Sequence, residues 1–581
     1  MMKKKRLVAL ALAATMTVSS AAIGGLVGCG SKKSENELWI TYFKGGYGSE
    51  WVEQLARKFE AEHDGVTVRT DGDTQLIDAV PNMMKNGTDY DLIFCHDVTW
   101  EDFVAPGQIY CLDDLYATEV DDKGTTFADR IWDDDVLASA RYDGHYYKVP
   151  WTIGTAGIAY NMTVMDRVDS WLEKQGETRK WNRTAPVDYY ELLQYCKDIN
   201  DAHLLVDPNE ADSGIITPFT WSGVSEEWQW DYVLFDWWGQ LAGPETMNTF
   251  KNFGNVDENF NLDTSKQNNP DKEVYNPEKF AVVRNADGTV DKENSTYVGW
   301  AEYQQAYQLW YDLVCGENKS WSTSKISNMS KFENEQAFAS GAGAMTPAAC
   351  WIEYESKLYL ERYGQEVSIM PTPIISNVKL DAEGKVLPKD ATDAAKTIDA
   401  IHADAGVTEK TITVNGNTYN RVSFTSSFGD SVMIPAKSTG RDLAVEFLLF
   451  MQKEENAQLF TKLSGGTVLP YKYNYWDSFV EDGVDKATAW QKSIFEIDRN
   501  STKFNNYTQH PMMRKTDLRG SARMTTIWPT NSYFYLKAWQ GAEPTATEKS
   551  SGLQSYKPTD LIPYLYDKII TARWETYKKD L

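Results

Sequence analysis

Between Glu37 and Cys95 the sequence alternates two periodicities, and this constrains the fold more than any other feature. "ELWITYF" (Glu37–Phe43) reads as a strand. Ser49 then precedes a run with Trp51, Val52, Leu55, Ala56 and Phe59 on one helical face, so it is expected to cap a helix that stops at "HDG". "VTVRT" is the next strand. "TQLIDAVPNMMKNG" reads as a helix started or interrupted near Pro81, and "YDLIFC" as a third strand apolar enough to be buried on both faces. Strand–helix–strand–helix–strand is the pattern of a parallel sheet covered by helices. Ligands of such sheets sit beyond the carboxyl ends of the strands, here "TYFKGGYGS" and "CHDVTW".

That unit is a small part of 581 residues. At roughly 150 residues per domain the chain holds about three to four domain-equivalents, or two large lobes. A second block begins at "YYKVPWTIGTAGIAYN", strand-like and punctuated by Pro, Gly and Thr, as suits a segment passing between lobes. "PVDYYELLQYCKDIN" is an amphipathic helix, "IITPFTW" a strand, and "YVGWAEYQQAYQLWYDLVCG" a helix. "STGRDLAVEFLLFMQKEENAQLFTKLSGG" reads as a capped helix and a second helix ending in Gly-Gly. Polar insertions fall near 248–295 and 375–420, the latter with a hairpin at "ITVNGNTYN" turned by Asn-Gly.

The front of the chain stands apart. "MMKKKR" and the apolar stretch after it read as an export signal over residues 1–28. The order Leu-Val-Gly-Cys resembles the lipobox of bacterial lipoproteins, which implies that Cys29 is lipid-modified; residues 29–36 form a polar tether. No second apolar run of about 20 residues follows, which argues against a transmembrane helix. Loss of Lys3, Lys4, Lys5 and Arg6 takes four positive charges from a net −26 and leaves −30. Such acidity argues against nucleic acid and against electrostatic adhesion to anionic lipid. Membrane attachment is expected through the lipid, stable with two or more acyl chains. Five cysteines remain with no short CxxC spacing, so neither a zinc site nor a disulfide framework is expected. Cys95, Cys196, Cys315 and Cys350 have apolar neighbours and read as small core residues.

Three stretches in order carry a resemblance: "YYKVPWTIGTAGIAYNMTVMD", "FENEQAFASGAGAMTPAACWIE" and "DLAVEFLLFMQKEENAQLF…SGGTVLP". They are similar to the hinge-crossing segment, the Ala-Met turn followed by tryptophan, and the late helix pair of the extracellular solute-binding proteins of ABC transporters, in the carbohydrate-binding group that includes maltose-binding protein. The resemblance implies an α/β, two-lobed periplasmic-binding-protein-like (type II) fold with a hinge and an interlobe cleft. Residues 37–150 plus 425–475 would form one lobe, and 151–424 plus 476–581 the other. It also implies a sugar ligand, permease subunits as partners and a lipid-anchored extracellular or periplasmic location. The chain is expected to act as a monomer, without catalysis, cofactor or metal.

The aromatic content fits such a ligand: 21 Trp and 32 Tyr present flat apolar faces with polar tips, suited to sugar rings. In "WSGVSEEWQWDYVLFDWW" (Trp221–Trp238), Trp230, Leu234 and Trp237 share a helical face and read as core. Trp221 lies in a Ser-Gly turn after a strand, where it is expected to reach the cleft; Trp228 is a further candidate. By resemblance, Trp351 stacks on sugar, with packing beneath the turn as its alternative role. Lys44 and Tyr47 of "FKGGYG" would bind hydroxyls, or belong to a solvated loop. Asp97 and Trp100 of "CHDVTW" occupy the third strand-end loop, where Asp97 either accepts hydroxyls or caps a helix. Trp528 of "TIWPTNSYF" is a late stacking candidate. The chain has no GxSxG, HExxH or P-loop, and among 84 carboxylates no pair stands out as a glycosidase dyad. The alternatives to transport are a secreted glycoside hydrolase and a surface glycan-binding lipoprotein.

Overall fold

The computed structural model describes residues 33–96, 98–132, 134–152, 154–224, 229–242, 300–398, 411–414, 417–420, 430–500 and 532–565. The export signal, the first half of the tether and the insertion at 248–295 lie outside the described residues, as do Cys29, Asp97, Trp228 and Trp528.

The expected alternation opens the fold as β1 (Glu37–Phe43), α1 (Glu50–Glu62), β2 (Thr67–Asp73), α2 (Leu76–Asn86) and β3 (Leu92–Cys95). β1 pairs in parallel with β2 and β3. β3 is buried at all four positions, as its unbroken apolar run requires of a strand covered on both faces. α2 passes through Pro81 without a break. Ser49 precedes α1 but its side chain does not cap it; the hydroxyl bonds the Tyr42 phenol instead.

β4 (Val149–Pro150) ends the first passage through this sheet, and β5 (Ala156–Asn161) begins a second sheet after five intervening residues. Then follow α3 (Met162–Lys174), α4 (Tyr189–Ala202), β6 (Thr217–Phe219), α5 (Trp230–Ala242), α6 (Trp300–Val314), α7 (Lys331–Ala339), β7 (Gly343–Ala349), α8 (Ile352–Tyr363) and β8 (Val367–Met370). The chain returns to the first sheet as β9 (Ser431–Met433), followed by α9 (Arg441–Met451) and α10 (Glu454–Leu463). α11 (Ala489–Asn500) and α12 (Ser532–Gln540) come later. The first sheet has the order β2-β1-β3-β9-β4 and the second β8-β5-β7-β6. Within the polar insertion at 375–420, Thr411–Val414 pairs with Asn417–Asn420 as the hairpin pattern predicts.

Each sheet has apolar packing on both faces. In the first lobe, Trp51, Leu55 and Phe59 of α1 pack with Phe447 of α9 and Phe460 of α10. On the opposite face, Val80 and Met84 of α2 meet Ile93, Cys95 and Met433. In the second lobe, α3, α4, α5 and α6 cover one face; α7 and α11 cover the other through Phe338, Trp490 and Ile494. The cap expected before α9 is absent, because the Ser438 hydroxyl donates to Asp91 Oδ1 at 2.7 Å. Fully buried Asp91 also accepts the Trp39 and Gly440 amides at 2.8 and 2.9 Å, which ties α9 to β1 and β3.

Candidate functional site

The two sheets turn their ligand-accepting ends toward each other. In the first, the carboxyl ends of β1 and β3 lie beside the start of β9, with Ser431 opposite both Cys95 and Pro150. In the second, Ala349 at the end of β7 and Met370 at the end of β8 sit opposite Ala156 and Ile158 of β5. The crossing Trp151–Thr155 joins these ends, the location that open α/β sheets use for ligands.

A buried polar network occupies the crossing. The Tyr47 hydroxyl donates to Asp430 Oδ2 at 3.1 Å. The Thr152 hydroxyl donates to the same carboxylate oxygen and lies 3.2 Å from the Tyr47 hydroxyl. Burial, with the Asp430 charge beside it, raises the Tyr47 phenol well above its ordinary value, so it stays a neutral donor. Trp151 packs edge-on against Tyr47 and Phe94 with centroids 5.2 and 5.4 Å away. Cys350 Sγ lies 3.9 Å from Thr467 Oγ1, and burial pushes its thiol up to about 11.

The β1–α1 loop closes against the second lobe. A Cβ added at Gly46 would lie 2.5 Å from Trp351 Cβ, and one at Gly48, whose φ is +66°, 2.1 Å from the Tyr354 hydroxyl. Glycine permits both the approach and the left-handed turn. Trp351, directly before α8, is half-buried and packs against the core of the first lobe and both cores of the second. Tyr232 of α5 meets its ring edge-on at 6.2 Å. At the rim, the Lys331 ammonium lies 3.3 Å from Glu355 Oε2 and 3.8 Å from Glu335 Oε1. Flat aromatic surface beside charged hydrogen-bonding groups is the combination that a polyhydroxylated ring requires.

The expected site residues therefore divide. Lys44 is exposed at the mouth of the loop, while Tyr47 is buried beneath it in the crossing network. Trp351 stands where the lobes meet. Trp221 and Trp100 require correction. Trp221 has no exposed surface: it packs edge-on to Trp230 and Trp539, each 6.2 Å away, and its indole N–H donates to Ser322 Oγ at 3.3 Å. The Ser-Gly turn directs the ring inward. Trp100 opens a 3-10 turn whose apolar side faces Val98, Phe103 and Ile109, so it too is a core ring. Asp97, Trp228 and Trp528 are outside the described residues.

Sequence reasoning overlooked Thr152, Asp430, Tyr232, Tyr354, Lys331, Glu335 and Glu355. A signal existed for two of them: Lys331 and Glu335 lie four apart, after the Ser330–Glu333 capping box that fixes the start of α7. A separate concavity of about 650 Å³ near the start of α4 is lined by Arg179, Trp181, Tyr190, Lys197 and Trp321 among others, and by none of the expected site residues. Its Arg179 is paired with Asp198 at 2.7 Å, and its Lys197 with Asp201.

Solved structures share this architecture. The GacH receptor of Streptomyces glaucescens is 16% identical, with 94% of this chain and 99% of that one covered and a TM-score of 0.51. A protein from Caldanaerobius polysaccharolyticus, studied in xylan utilization, is 12% identical over 92% and 99%, with a TM-score of 0.52. A chitin oligosaccharide binding protein is 13% identical over 93% and 100%, with a TM-score of 0.50. No curated protein matches the chain in sequence. The model of one family, bacterial extracellular solute-binding protein, matches residues 54–474. With this two-lobed, periplasmic-binding-protein-like fold, the chain belongs to the bacterial extracellular solute-binding proteins.

Proposed function

We propose that the chain captures a carbohydrate of oligosaccharide size between its lobes and passes it, unaltered, to the permease of an ABC importer. A lipid on Cys29 holds it, as a monomer, at the outer face of the cell membrane. The observation that carries the reading is Trp351, an indole left half-buried where the cores of both lobes converge, beside Tyr232 and the Lys331–Glu335–Glu355 cluster. The GacH receptor, whose structures include an acarbose complex, and the chitin oligosaccharide binding protein support the ligand class. The residues proposed to contact ligand are Lys44, Trp351, Tyr354 and Glu355, with Asp97, Trp228 and Trp528 as further candidates. Tyr47 and Asp430 hold the crossing that the lobes flex about.

Capture follows from differential contact. The ligand favours closure by as much as it binds the closed form better than the open one. Among the described residues no helix is long and apolar enough to cross a membrane. The test is incubation with a panel of plant and host oligosaccharides, followed by calorimetry and by assay of reducing ends. Saturable binding with the sugar recovered intact is expected. New reducing ends would replace this reading with a hydrolase, and absence of binding across the panel would remove the carbohydrate assignment.

A further inference from the structure

We propose that Cys111, Asp113 and His145 form a binding site for a divalent cation of the zinc class on the first lobe. One ligand atom from each residue lies within 4.8 Å of the others. In a tetrahedral zinc site with bonds of about 2.0–2.3 Å, ligand atoms stand roughly 3.3–3.8 Å apart. Small side-chain rotations therefore close the set.

The backbone holds the three together before any ion arrives. Asp143 and Gly144, with φ of +49° and +84°, make the two-residue turn of a hairpin in which Tyr142 pairs with His145 and Arg141 with Tyr146. That hairpin is fastened to the Cys111–Asp113 segment: the Leu112 amide donates to the Tyr146 carbonyl at 2.7 Å, and the Tyr146 amide to Asp113 Oδ1 at 2.8 Å. Asp113 Oδ2 is left facing His145 Nδ1 at 2.6 Å, and the Cys111 thiol bonds the same carboxylate. A cation entering there displaces the protons shared in these bonds to solvent and takes thiolate, carboxylate and imidazole as ligands. Exposed His145 leaves a fourth position for water.

The donor types select the ion. Thiolate with imidazole suits zinc, whereas magnesium and calcium require oxygen ligands. Cys111 is also the exception among the described cysteines: Cys95, Cys196, Cys315 and Cys350 are buried, and Cys111 is half-exposed. The lack of a short CxxC spacing hid this site in the sequence, because its ligands lie up to 34 residues apart, Cys111 to His145, and are brought together by the bonds between the hairpin and the Cys111–Asp113 segment. The bound ion would clamp the hairpin to the lobe surface.

Cobalt(II) titrated into the full chain in metal-free buffer tests the assignment, since cobalt occupies zinc sites and reports its ligands by absorption. The expected result is one cobalt per chain with a thiolate-to-cobalt charge-transfer band in the near ultraviolet, displaced by zinc. C111S abolishes the band, and H145A, a change at an exposed side chain, weakens cobalt binding at least tenfold with the circular dichroism spectrum unchanged. Absence of the band, a band of equal intensity in C111S, or unaltered affinity in H145A would overturn the proposal.

Discussion

The two lobes fill their interiors differently. The second buries Trp221, Trp230, Trp237, Trp238 and Trp310 without exposed surface in a single cluster; the first buries Trp51, Trp151 and, apart from them, Trp100 almost as fully and relies otherwise on Leu, Phe, Tyr and Val. The density of tryptophan therefore marks how one lobe is packed. The ring placed to meet a ligand is a different one, Trp351, in contact with the cores of both lobes and sealed inside neither.

The largest effect belongs to that packed cluster. Trp237 has no exposed surface and donates its indole N–H to the Pro373 carbonyl at 3.0 Å. Trp237→Ala is expected to destabilise the second lobe by about 4 kcal/mol. Scanning calorimetry should show one transition falling while the other holds, and equal movement of both would erase the distinction between the lobes. Next comes the crossing. Asp430→Ala removes the acceptor shared by the buried Tyr47 and Thr152 hydroxyls, at an expected cost of about 3 kcal/mol. Both transitions should shift together, because the network bridges the lobes; movement confined to one would assign the network to that lobe alone.

Acid–base behaviour sharpens the contrast further. In the second lobe burial pushes the Glu353 carboxyl up to about 7 and Asp312 up to about 6. In the first, hydrogen bonds from the side chains of Thr125 and Thr126 hold exposed Asp121 and Asp129 below the usual carboxylate range. A carboxyl with a raised folded pKa keeps its proton in the fold after the unfolded chain has released it. The second lobe therefore loses stability as pH rises from about 4.5 to about 7, by on the order of 2 kcal/mol for Glu353. Asp121 and Asp129 act oppositely, and their contribution fades as pH falls through the acid range. Denaturant melts of wild type and Glu353→Gln check this: the variant should flatten the dependence above pH 4.5, and an unchanged slope would clear Glu353 of responsibility.

Much of the fold was legible because periodicity is local. β1 lies over Glu37–Phe43 as its apolar run predicts, and Trp230, Leu234 and Trp237 share a buried helical face as their spacing predicts. Capping was less legible: Ser49 and Ser438 give their hydroxyls to distant partners, Tyr42 and Asp91, which local pattern cannot reveal. The candidate site was legible where a chain motif marks it, as at Trp351. It was not legible for Asp430 and Thr152, which come together across 278 residues. Trp221 shows the limit most clearly. A turn after a strand can send a ring either way, and here Ser322 and two neighbouring indoles hold it inside.

The account rests on ligand capture at the junction of the lobes, and calorimetric titration of wild type and Trp351→Ala with the tightest oligosaccharide of the panel tests it most directly. One sugar per chain should bind to wild type. The variant should bind about tenfold more weakly, the loss of roughly one stacking contact, with its circular dichroism spectrum unchanged and its melting temperature lowered by the lost packing. Equal affinity in the two proteins would place the ligand elsewhere and contradict the account.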